Sequence, residues 1–133
     1  MKYFSQEKFN GRINFVDENN LVLGYDFDAS CCENFGWKLL DKDRNLLLHG
    51  KEDEEPSEDE INKIIEGFNF DKHFFVLSNS EDGYEENNHV VFRMTKENEE
   101  LFLELYNYHN GYYGHGFEFL EKTDNAVIKK GVI

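Results

Sequence analysis

The sequence predicts an α+β fold, mainly antiparallel β-sheet built of hairpins, with one amphipathic helix over about residues 58–66 packed on it. Three observations predict this class. Short runs alternate apolar and polar residues, as half-buried strands do. Turn chemistry separates the runs. A single stretch changes to helical spacing, directly behind a capping box.

The elements follow in order. Residues 1–10, anchored by Tyr3, Phe4 and Phe9, read as a lead-in or edge segment. Ile13 and Phe15 alternate, Asp17-Glu18-Asn19-Asn20 turns the chain, and Leu21, Leu23, Tyr25 and Phe27 alternate again, which makes a first hairpin. Trp37 and Leu39 before, and Leu46 to Leu48 after, the polar stretch Asp41 to Asn45 make a second. Residues 51–60, KEDEEPSEDE, hold seven acids against one lysine and read as a solvated linker. Ser57 and Glu60 then form a capping box, Glu58 and Asp59 complement the helix dipole, and Ile61, Ile64, Ile65 and Phe68 recur at helical spacing up to Gly67. Phe74 to Leu77 and His89 to Thr95 read as strands around a polar loop, Ser78 to Asn88. A turn at Lys96 to Glu99 leads into the strongest local signal, and Ala126 to Ile128 supply a last edge strand.

That signal is Leu101 to Leu120, in which Asn110-Gly111 suits a type I′ turn between alternating strands. The register it predicts pairs Tyr108 with Tyr113 and Tyr106 with His115. One face then carries the leucines and glycines, with a groove where Gly114 and Gly116 lie opposite Asn107 and Leu105. The other carries Phe102, Glu104, Tyr106 and Tyr108 opposite Phe119, Phe117, His115 and Tyr113, buried at its phenylalanine end and open near the turn.

The length of 133 residues accommodates one domain, 1–133, with one core. Aromatic residues make up 16% of the chain, which supplies burial and excludes general disorder. Twenty-eight acids against 14 lysines and arginines give a formal charge of −14. Such a chain repels nucleic acid and anionic membranes and favours basic partners. The only two cysteines, Cys31 and Cys32, are adjacent and form no disulfide framework. With neither a signal peptide nor an apolar run of membrane length, the expectation is a reduced, cytoplasmic protein.

Cys31-Cys32-Glu33 early, and Asn110-Gly111-Tyr112-Tyr113 followed by Phe117-Glu118-Phe119 late, resemble a family of small bacterial and phage proteins described only as a domain of unknown function. The resemblance runs from about Ile13 to Phe119 on those short motifs. It implies a compact intracellular domain and assigns no reaction.

Two chemistries can be written on these residues. Cys31, Cys32, His109 and His115 include metal-ligand types, with Asp26, Asp28 and Glu33 near in sequence. No Cys-x-x-Cys pair is present, and adjacent cysteines on an extended chain point to opposite faces, so one closed zinc site is disfavoured. The expectation is no cofactor and no metal. Alternatively, Cys32 is a nucleophile activated by His109 or His115, with Asp26 or Glu33 orienting the ring. No nucleophile signature surrounds it, and a chain of this composition holds such triples by chance. Asp17, Asn19 and Asn20 fall short of a calcium loop, having Asp28 where the bidentate Glu belongs.

Charge, size and the aromatic face instead point to a protein-interaction module of the inhibitor, immunity or accessory type. Its anchors would be Tyr106, Tyr108, Tyr113, His115 and Trp37, and its partner a protein with a basic surface. A Cys/His-dependent enzyme or small-ligand binder is the alternative, and homo-oligomerisation through the aromatic face a third possibility.

Overall fold

The computed structural model describes residues 1–6, 11–27, 34–51, 55–79, 87–108 and 114–133; side chains of residues 6, 74–79, 87 and 88 are not described. Among the described residues, ten strands and one helix follow in the order β1 (Lys2–Gln6), β2 (Arg12–Val16), β3 (Leu21–Asp26), β4 (Phe35–Leu40), β5 (Leu46–Lys51), α1 (Glu58–Ile65), β6 (Asn69–Asn79), β7 (Asn87–Lys96), β8 (Glu99–Tyr108), β9 (Gly116–Glu121) and β10 (Ala126–Val132). The expected class, antiparallel sheet with one helix packed on it, is the one observed. The strands form two five-stranded sheets, β1-β2-β3-β9-β10 and β5-β4-β8-β7-β6, with every pairing antiparallel.

The central strands each present an apolar face, and pressing the two sheets together buries those faces against one another. Ile13, Phe15, Leu23, Tyr25, Phe117 and Phe119 of the first sheet meet Trp37, Leu39, Val90, Phe92, Leu103 and Leu105 of the second, all within 2% of complete burial. Phe119 lies 5.1 Å from the rings of both Phe70 and Phe92, and Phe15 meets Trp37 edge-on at 5.7 Å. These tilted and edge contacts suit the ring quadrupoles better than face-to-face stacks.

The strands β2, β3, β4, β5 and β7 fall where alternation predicts them, and the lead-in is indeed an edge strand, β1. β6 and β10 run longer than expected, because edge positions tolerate polar residues that hide a period of two. The turns use left-handed residues at Asn20, Arg44, Glu97 and Asn125, with φ between 50° and 68°. Asparagine adopts this region readily; arginine and glutamate do so at a cost.

The expected pairing of residues 101–108 with 113–120 is overturned. β8 bonds to β4 and β7, whereas β9 bonds to β3 and β10, so the two lie in different sheets. The chain does reverse between them, but across the core instead of along a shared edge. Leu103 and Leu105 of β8 and Phe117 and Phe119 of β9 therefore face one another, where a hairpin would have set them on opposite sides. The turn itself, 109–113, lies outside the described residues. No groove exists at the glycines either: a Cβ on Gly116 would stand 2.7 Å from the Asp26 carboxylate, and one on Gly114 2.5 Å from Val132.

Helix α1 starts as expected, with Ser57 Oγ accepting from the Glu60 amide at 3.2 Å and three acids in the first turn. Ile61 and Ile65 are fully buried and join the core. The helix also clasps the open edge of β1: the amide of Tyr3 donates to Asn62 Oδ1 at 2.8 Å, and that of Ser5 to Glu58 at 3.4 Å. An edge so occupied cannot pair with a foreign strand.

Candidate functional site

Helix α1 leaves a cleft of about 810 Å³ between itself, the start of β1 and the β2–β3 turn. The clasp just described creates it, because Asn62 reaches the β1 backbone and holds the helix beside the sheet. Met1, Phe4 and Val16 supply apolar surface, and Phe4 is 38% exposed. Along the helix wall stand Asp59, Glu60 and Glu66, with Glu18 on the turn; Lys2, Lys63 and Lys122 also reach the rim. Val16 continues the floor into an aliphatic row across the outer face of the first sheet, Val16 beside Val22, Leu120 and Val127 in successive strands. Asp17 lines the cleft but is buried and already engaged. Its Oδ1 accepts the amides of Asn19 and Leu21, and its Oδ2 that of Phe70, each at 2.9 Å. This carboxylate ties the turn to β6, a use for the Asp17 motif that is structural rather than ionic. No sequence signal marked the cleft, since its walls come from three separate segments.

The outer face of the second sheet holds the tyrosines singled out in the sequence. Tyr106 and Tyr108 sit two apart on β8, rings 4.7 Å between centroids, and Lys38 of β4 donates to Tyr108 Oη at 3.1 Å while lying 4.8 Å from the Tyr106 ring centre. The cation is held over the ring faces, a favourable arrangement. His49 bonds to the Tyr106 hydroxyl, and His89 Nδ1 pairs with Glu104 at 2.6 Å. Burial, then the neighbouring Tyr108 and Glu104, push the Tyr106 hydroxyl up to about 12. A tyrosine so shifted stays protonated and is a poor base. Gly36 permits the arrangement, for a Cβ there would lie 2.9 Å from the Tyr106 hydroxyl.

The five expected anchors are thus dispersed. Trp37 is fully buried between the sheets, and Tyr106 and His115 are 1% and 4% exposed. These three cannot form an exposed aromatic face. Tyr108 is half-buried, and Tyr113 lies outside the described residues. His115 packs at the end of the sandwich, its ring stacked on Phe35 at 3.8 Å and its Nδ1 bonded to the Asp26 carbonyl at 2.8 Å. A carbonyl only accepts, so Nδ1 carries the hydrogen. The Asp26 carboxylate turns away to Arg12, 3.0 Å distant. Asp26 thus orients the imidazole through its backbone rather than its side chain.

Cys31, Cys32, Asp28, Glu33 and His109 lie outside the described residues, so the metal and nucleophile candidates are not assembled by the geometry on hand. Among the described residues, no three His, Cys, Asp or Glu side chains are grouped to hold a metal. What is described at that end is the anchoring of the two flanking segments. Tyr108 donates its amide to the Asn34 carbonyl at 2.8 Å, and His115 reaches Asp26. The described residues that flank the two connections therefore lie side by side. Among the described residues, no helix is long and apolar enough to cross a membrane.

Fold and cleft together define an antiparallel β-sandwich with a helix-clasped edge and a half-apolar surface hollow. The chain belongs to the family described as a domain of unknown function, DUF7448, whose model matches residues 6–119. No curated protein and no solved structure matches it.

Proposed function

We propose that the chain is a protein-interaction module, of bacterial or phage origin, that receives an amphipathic segment of a basic partner in the cleft beside α1. One observation carries the reading: Phe4, 38% exposed, stands beside half-buried Val16 in a cleft of about 810 Å³ whose helical wall is acidic. Exposed apolar surface in a concave setting is costly for a monomer and is the usual mark of a binding surface. The formal charge of −14 attracts cationic proteins and disfavours nucleic acid and anionic membranes. Acidic helix residues would then meet lysines or arginines flanking the apolar anchor, setting on-rate and register more than affinity. Inhibitor, immunity-type and accessory roles all work through such a surface.

The test is capture of host proteins at low and high salt, followed by binding with the purified partner. A partner that binds wild type, releases at high salt and ignores the Phe4→Asp variant supports the reading. Recovery of no reproducible partner, or one held equally well by Phe4→Asp, ends it.

A further inference from the structure

The outer faces of the two sheets are finished differently. On the second, Leu40, Val91 and Phe102 are buried, and the Arg44 guanidinium covers the Phe102 ring at 3.7 Å. On the first, Val16, Val22, Leu120 and Val127 make an unbroken aliphatic row across β2, β3, β9 and β10. Val16, Val22 and Leu120 are half-buried, and Val127 is 49% exposed. A sheet face turned to water alternates to polar side chains, so a row of this kind marks a contact surface. The row is centred on the seam between β3 and β9, with two of its residues to each side. Two further rows lie beside it on the same face: Asn14, Gly24, Glu118 and Lys130, then Arg12, Asp26, Gly116 and Val132. Arg12 bonds Asp26 through Nε and lays Nη1 over Gly24, 3.1 Å from where a Cβ would stand.

From this we infer that the outer face of the first sheet joins two copies of the chain about a two-fold axis along the β3–β9 seam. Such an axis exchanges β3 with β9 and β2 with β10. Val22 then meets Leu120 across the axis, and Val16 meets Val127, so the aliphatic row closes on itself. In the next row Glu118 comes over Gly24, where Arg12 Nη1 lies, and Lys130 comes over Asn14. In the third, Asp26 faces Gly116 and Arg12 faces Val132. No like charges are opposed in the three rows. That self-match selects a second copy over a foreign partner, because an isologous contact requires one patch to complement itself. Sheets packed in this way align to within about 30°, which keeps the rows in register near the axis. Two chains of formal charge −14 repel one another, so the contact forms at physiological salt, where charges more than about 8 Å apart are screened. Phe4 and the helical wall of the cleft lie outside these four strands. The inference therefore goes beyond the cleft reading and is decided separately from it.

Sedimentation equilibrium of the full chain in physiological salt tests it. The expected result is a monomer–dimer equilibrium. Val16→Asp and Val127→Lys should each weaken association about tenfold or more, since each sets a charge against a valine. Mixed together, the two variants should recover it: the mixed dimer brings the new carboxylate to the new ammonium at one contact and keeps valine on valine at the other. Val132→Lys, at a position 72% exposed, sets a second cation against Arg12 and should also weaken association without disturbing the core. Leu46→Glu, 56% exposed on the second sheet, should leave it unchanged. Unchanged thermal midpoints confirm that the variants fold, and Val132→Lys carries the test where a row variant does not. A chain that stays monomeric to millimolar concentration overturns the inference. So do dimers indifferent to Val127→Lys and Val132→Lys, dimers weakened equally by Leu46→Glu, and a mixture that associates no better than its two parts.

Discussion

At the scale of single residues, side chains that invite chemical readings turn out to hold the backbone together. Asp17 accepts three amides at 2.9 Å, two of those bonds being buried. Asp17→Ala strands those donors and should cost about 2–4 kcal/mol in urea unfolding, while Asp17→Asn, which keeps one acceptor oxygen, should cost less. Tyr106 shows the same economy. Its hydroxyl is pushed from 10.0 up to about 12, foremost by burial. In the unfolded chain it ionises first, so the unfolded state binds fewer protons above pH 10. Its stabilising contribution is complete below pH 10 and is lost as pH rises through about 12. Ultraviolet titration should find a late tyrosine that Tyr106→Phe removes, and the same variant should flatten the alkaline fall in stability over that window. A Tyr106→Phe profile that matches wild type would refute the assignment.

At the scale of elements, close packing between strands explains where glycine is required. Trp37 of β4 lies flat over Gly50 of β5, and a Cβ there would stand 2.1 to 2.4 Å from the indole. The ring is fully buried, so it has nowhere to go. Gly50→Ala should therefore destabilise by about 1–3 kcal/mol, as overpacking does. Trp37 is the only tryptophan, so its emission spectrum reports the same event directly. An unshifted spectrum with unchanged stability would show that β4 and β5 approach less closely. The amphipathic pattern of α1 was fully legible in the sequence because its caps and its apolar spacing are local. Its clasp on β1 was not, because Asn62 and Tyr3 are 59 positions apart.

At the scale of the whole molecule, charge and topology set what the chain can do. Ten acids and one lysine fall in the segments 7–10, 28–33, 52–54, 80–86 and 109–113, so nine of the fourteen excess negative charges lie outside the described residues. Self-repulsion among 28 carboxylates weakens the folded state, and salt screens it over a Debye length of about 8 Å at physiological strength. Raising sodium chloride from low to physiological concentration should raise the thermal midpoint, and a falling midpoint would mean that the ion pairs of Arg12 and Arg93 outweigh the repulsion.

The sequence by itself determined where the central strands run, where α1 begins, and which side of those strands is apolar, since these depend on periods of two and 3.6 residues and on caps within a few positions. Only the tertiary structure decided which strands are neighbours. Asn110-Gly111 announces that the chain turns back, yet a returning strand buries its apolar face equally well beside its predecessor or across from it. The choice between them rests on partners far away in sequence, β3 and β10 for β9, and β4 and β7 for β8. The cleft, assembled from β1, the β2–β3 turn and α1, was settled in the same way.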